Sequence, residues 1–91
     1  MNLPSKDVAI LVRDAGMEAM DALNAIVVET EPHLSKEDGK DVRLAVARSI
    51  SAILDNIVNP VLRSYPDLDV DEDSWGAIAA ARARNRVASN A

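Results

Sequence analysis

Residues 5–32 read SKDVAILVRDAGMEAMDALNAIVVETEP and decide the fold, because their apolar side chains recur with the period of an α-helix. Ser5 is a typical N-cap and Pro32 cannot continue a helix, so we predict a helix over about residues 6–30. At about 100° per residue, one broad apolar face carries Val8, Leu11, Val12, Ala15, Ala19, Ala22, Leu23, Ile26 and Val27. Beside it lies a smaller apolar ridge made of Ile10, Met17 and Val28. One partner helix cannot readily cover both surfaces.

A second long helix is predicted over about residues 36–58, after a short connection. Ser35 followed by Asp38 resembles a capping box. The inner stripe of this helix consists of Val42, Val46, Ser49, Ile50, Ile53, Leu54 and Ile57. A short connection favours antiparallel neighbours, so the two helices should form a hairpin. Gly16 lies toward the apolar side of the first helix and would permit a close approach between them.

The C-terminal third is punctuated by prolines. Pro60 should kink or restart the second helix, and Asn59 could cap a short helix that ends near residue 64. A proline-led acidic loop then spans residues 65–73. A third, shorter helix should cover about residues 74–88. We therefore predict an all-α fold for a single helical domain, residues 1–91: an antiparallel helical hairpin of two long helices plus a shorter C-terminal helix.

Composition disfavours several classes of function. The chain of 91 residues has no cysteine, and its formal net charge of −5 opposes general affinity for nucleic acid or anionic membranes. Its first residues show no basic stretch followed by an apolar one, and no apolar run approaches the roughly 20 residues of a membrane span. We expect a cytoplasmic protein without a membrane or nucleic-acid partner.

The acidic loop resembles a Ca²⁺ loop only in part. Asp67, Asp69, Asp71 and Asp73 occupy the first four ligand positions. The sixth position, which needs glycine, holds Glu72, and the twelfth, which needs a bidentate glutamate, holds Ile78. The simpler interpretation is that the last carboxylates of the loop favour the positive end of a helix dipole. A Ca²⁺-responsive module that uses residues 67–73 stays an alternative.

A carboxylate stripe, formed by Asp14, Glu18 and Asp21, follows one face of the first helix at spacings of four and three residues. No opposite charge stands three or four places from any of them within that helix. The stripe is therefore a solvated acidic face, a docking surface for a basic protein partner, or one side of ion pairs with Arg82 or Arg86.

No reactive group of residues is evident. His33 is the only histidine and lies in the predicted inter-helix loop, and the three glycines are isolated, so neither a metal site nor a phosphate loop is indicated. Arg82 and Arg86 share a helix face while Arg84 points elsewhere, which favours stabilisation of a helix C-terminus over nucleic-acid binding. We predict no enzymatic activity and no cofactor. An enzyme or carrier with Asp14 and Glu18 at an oligomer interface is the remaining catalytic alternative.

The apolar surface of the two long helices exceeds what one short Ala-rich helix can cover. Two hairpins forming a four-helix core, as a homodimer, would bury the excess, whereas a monomeric three-helix bundle is the rival arrangement. Trp75 either closes one end of the hairpin or stays exposed as a binding hot spot. The expected function is that of a small acidic protein-protein interaction or regulatory protein. Its candidate surface consists of Asp14, Glu18, Asp21, Ile10, Met17, Val28 and Trp75.

Overall fold

A computed structural model describes the backbone of residues 1–90 and the side chains of residues 1–71 and 73–86. Helices occupy most of it and no strand occurs within the described residues. The α-helices are α1 (Lys6–Thr30), α2 (Lys36–Ile53), α3 (Asn59–Ser64) and α4 (Glu72–Asn90). A π-helical turn, Leu54–Val58, joins α2 to α3, and short 3-10 turns lie at Glu31–His33 and Pro66–Leu68. The predicted all-α architecture of two long helical segments and a shorter C-terminal helix is confirmed.

Hydroxyl and proline residues set the ends of α1. The Ser5 hydroxyl accepts a hydrogen bond from the Val8 backbone N–H at 3.2 Å, which satisfies one of the free donors of the first turn. At the other end, Pro32 lies in the 3-10 turn that follows Thr30. Ser35 caps α2 in the same way, with 3.1 Å from its hydroxyl oxygen to the Asp38 N–H. The chain therefore reverses within five residues, 31–35.

Gly16 brings the two long helical segments together. A Cβ atom at this position would lie 3.0 Å from Cγ2 of Val58 and 3.3 Å from Cγ2 of Ile57. Val58 is fully buried and β-branched, so it has little freedom to move aside. The prediction that Gly16 permits a close helix–helix approach is confirmed.

The second long segment bends through a π turn rather than stopping. The turn Leu54–Val58 ends two residues before Pro60, whose missing N–H removes one α-helical hydrogen bond. Asn59 has helical φ and ψ of −62° and −40°, and its side chain makes no capping hydrogen bond. The prediction that Asn59 caps a new helix is therefore wrong. The wider π turn accommodates Pro60, and the chain stays helical to Ser64.

Two small clusters form the core. One consists of Ala9, Val61 and Leu68, and the other of Met17, Met20 and Val58. Met17 is only 2% exposed, so this member of the ridge lies in the core and not on the candidate surface. Ile10 is half-buried against the first cluster, whereas Val28 is 70% exposed. The ridge is divided in this way because the two core clusters hold Met17 and contact Ile10, whereas Val28 packs against neither of them.

Part of the broad apolar face of α1 stays open. Leu11 and Ile26 are 58% and 43% exposed. Between them, Ala15, Ala19 and Ala22 are exposed as well. The core side of α1 instead contains small residues, flexible methionines and the charged Glu18. Glu18 can be buried there because arginines of α4 neutralise its carboxylate. We define this open face, Leu11, Ala15, Ala19, Ala22 and Ile26, as the outer stripe.

Candidate protein-interaction surface

Glu18 forms the centre of an ion-pair cluster between α1 and α4. Its side chain is 8% exposed, and its Oε2 lies 2.8 Å from Nε of Arg82. Arg86 pairs with the other carboxylate oxygen. The intramolecular alternative for the carboxylate stripe is therefore the one that the structure shows at Glu18. Glu18 is therefore neither a solvated carboxylate nor a free docking group, since α4 covers it.

Asp14 is also neutralised within the chain, by its neighbour Arg13. The Arg13 Nε and Nη2 atoms both lie 2.9 Å from Oδ1 of Asp14. Arg13 is 8% exposed, and its Nη1 donates a hydrogen bond of 2.8 Å to the Leu68 carbonyl oxygen. It thereby ties the chain segment before α4 to α1. Sequence reasoning missed this pair because it considered only charges three or four residues apart, whereas Arg13 is adjacent to Asp14.

Asp21 is the exposed member of the stripe. It lines a shallow recess of about 250 Å³ with Met17, Met20, Asn24 and the start of α4. Trp75, at the edge of this recess, is half-buried and packs on the cluster of Met17, Met20 and Val58. Its indole Nε1 is buried and has no hydrogen-bond partner among the described side chains. Trp75 thus closes the packing between α1 and α4 while one edge stays at the surface.

Two carboxylates of the acidic loop, Asp67 and Asp71, make separate structural contacts. Asp67 pairs with Lys6 across the surface, and this contact lowers the pKa of its carboxyl group. Asp71 accepts a hydrogen bond of 2.8 Å from the Ser74 N–H, which lowers the pKa of Asp71 and caps α4. The helix therefore begins at Glu72, two residues before the predicted start. Among the described side chains, no group of three or more carboxylates and histidines is arranged to hold a metal ion.

An apolar groove opens between α1 and α2 near the hairpin turn. It has a volume of about 570 Å³ and is lined by Asn24, Val27, Val28, Arg43, Val46, Ala47 and Ile50. We call it the tip groove. Asn24 belongs both to this groove and to the recess beside Trp75. The groove therefore begins next to the N-terminal end of α4, on the part of the hairpin that α4 does not reach.

A basic face of α2, which we call the wall, borders the tip groove, and its residue Arg43 lines the groove itself. Lys36, Lys40 and Arg43 follow each other at four and three residues, so they share one face of α2. All three are exposed. Lys36 and Arg43 also line an adjoining recess of about 220 Å³, where Glu31 is the single carboxylate. Neither lysine nor Arg43 forms an ion pair within the part of the chain whose side chains are described.

Comparison with known protein families, with curated proteins and with solved structures found no match. Over the described residues, no helix has the length and apolar character needed to cross a membrane. Sequence reasoning identified Val28 as a candidate surface residue but missed the groove around it. The groove depends on how α1 and α2 pack beside the N-terminal end of α4, which helical periodicity does not reveal.

Proposed function

We propose that this chain is a non-enzymatic protein-interaction module that receives an amphipathic helix of another protein in the tip groove. The observation that carries the proposal is the groove itself, whose lining is mostly valine, alanine and isoleucine yet is open to solvent. Val28 on its edge is 70% exposed. Exposed apolar surface in a concave setting is typical of a binding site.

A helix is the occupant that fits this site. The hairpin continues past the N-terminal end of α4, and the groove occupies the position in which a third helix would complete the bundle. Amphipathic helices bind such grooves through apolar residues at helical spacing. The packing rules that place α4 against α1 would therefore also hold a partner helix in the tip groove, near the hairpin turn.

The catalytic and calcium alternatives lack such support. Asp14 and Glu18, the acid–base candidates, are engaged by Arg13, Arg82 and Arg86. Asp67 and Asp71 of the acidic loop have separate partners. A basic protein partner for the carboxylate stripe would find only one free member, Asp21. The absence of cysteine is compatible with a reducing compartment such as the cytoplasm.

The proposal is tested with a helical peptide that carries leucine at every third or fourth position and glutamine elsewhere. Titration into ¹⁵N-labelled protein should give saturable shifts of the amides of Val27, Val28, Val46, Ala47 and Ile50. Val28→Glu should abolish these shifts, since it places a charge on the edge of the groove while the residue is too exposed to matter for folding.

Leu44→Glu is the matched control. Leu44 is 47% exposed on α2 and does not line the groove, so this variant should bind the peptide as the unaltered chain does. Absence of saturable shifts at the groove at millimolar peptide, or equal loss of binding in both variants, would refute the proposal.

Self-association through the outer stripe is a second candidate, and one observation favours it. Two copies of α1 placed antiparallel about the middle of the helix would set Leu11 against Ile26 and Ala15 against Ala22. Residue i then contacts j and j contacts i, as a twofold homodimer requires. The small central residues allow a close approach, and the larger ends are exposed in the single chain.

Sedimentation equilibrium tests this homodimer directly. We expect a mass near twice the 9.8 kDa of the chain at about 0.2 mM, and a single-chain mass for Leu11→Glu. Leu44→Glu should leave the assembly intact. If Val28→Glu dissociates it instead, the second copy occupies the tip groove. A single-chain mass for the unaltered protein at this concentration would remove the candidate.

A further inference from the structure

We infer that the helix received in the tip groove is acidic along the edge that faces α2. This inference rests on the proposed function and deepens it. Apolar lining alone would accept any amphipathic helix. The charges on the wall, rather than the lining, therefore distinguish among partners.

The three cations of the wall give one face of α2 a local positive charge, although the formal net charge of the chain is −5. Lys36, Lys40 and Arg43 lie on the groove side of α2, whereas Glu37, Asp38 and Asp41 lie on the other sides of the helix by register. Lys36 and Arg43 have no carboxylate three or four residues away within α2, whereas Lys40 has Glu37 three residues before it. Across the hairpin turn, Glu31 is the one carboxylate of the adjoining recess.

The position of Arg43 suits contact with a bound helix. It lines both the tip groove and the adjoining recess, so this residue lies where the two concave surfaces meet. Gly39, one turn earlier, lies beside this side chain, since a Cβ there would be in ordinary van der Waals contact with Nη1 of Arg43, at 3.6 Å. A carboxylate on the partner can accept two hydrogen bonds from a guanidinium in this setting.

Three peptides with identical leucine positions test the inference, with glutamate, glutamine or lysine along one flank. We expect the glutamate peptide to bind about tenfold more tightly than the glutamine peptide and the lysine peptide to bind more weakly than both, as several solvent-exposed pairs would produce. The preference should shrink in about 0.5 M salt, where charges are screened within a few ångströms.

Charge reversal on the wall provides the matched variant. Lys40→Glu combined with Arg43→Glu should invert the order of the glutamate and lysine peptides. Arg48→Glu, an exposed residue elsewhere on α2, should preserve the original order. Equal affinities for the three peptides would overturn the acidic-partner inference and leave the groove function standing. Failure of all three to bind would instead remove the proposed function.

Discussion

Replacement of both Arg82 and Arg86 by methionine is expected to lower the free energy of unfolding by about 2–4 kcal/mol. Glu18, at 8% side-chain exposure, would then be a buried carboxylate without a cation. The desolvation of the carboxylate would no longer be offset, and α1 and α4 would separate more readily. Urea denaturation followed by circular dichroism gives the measurement.

Removal of the carboxylate instead of the arginines should lower the free energy of unfolding by less. Glu18→Gln leaves the two arginines partly exposed, at 37% and 65%, where water can solvate them, so we expect a loss below about 1 kcal/mol. Replacement of all three residues by methionine should recover most of the stability lost in the double arginine variant, because no buried charge then remains. Equal losses for the Glu18 variant and the double arginine variant would contradict this asymmetry.

Arg13→Met is expected to destabilise the fold by about 2–3 kcal/mol. The substitution keeps much of the apolar volume but removes the donors to Asp14 and to the Leu68 carbonyl oxygen. Leu68 belongs to the buried cluster with Ala9 and Val61, so its carbonyl oxygen has limited access to water. Amide hydrogen exchange should quicken in the turn Pro66–Leu68 and in the first turns of α4.

Arg84→Met is the control for both predictions on arginine. Arg84 is exposed and forms no ion pair among the described side chains, so its replacement should change stability by no more than about 0.5 kcal/mol. A change of this size for Arg13→Met as well would show that the contact with Leu68 contributes little to holding the segment before α4.

Local rules accounted for the helices because capping and proline effects depend on neighbouring residues. Ser5 and Ser35 both accept the N–H three residues ahead. Pro32 lies in the turn that follows α1. Local rules failed at Asn59, where a π turn accommodated Pro60 without ending the helix. They also placed the start of α4 too late, since Asp71 rather than a later residue provides the cap.

The candidate surface was less accessible to such reasoning. Helical periodicity identified the large apolar face of α1 but could not show whether another helix covers it. Most of that face is exposed, while Met17 and Glu18 are buried. Hydrophobicity alone would have assigned the opposite arrangement, because it gives no weight to a carboxylate that finds two arginines on another helix.

The amino-acid sequence by itself determined that this chain is helical, where its long helices begin and that they return as a hairpin, since these properties arise from contacts within a few residues. Only the tertiary structure decided which side of α1 faces the core, how Arg13, Arg82 and Arg86 neutralise its carboxylates, and where a groove stays open. The physical reason is that packing joins residues far apart in the chain: the crossing of α4 over α1 buries Glu18 and ends beside Asn24, and the same geometry leaves the tip groove uncovered.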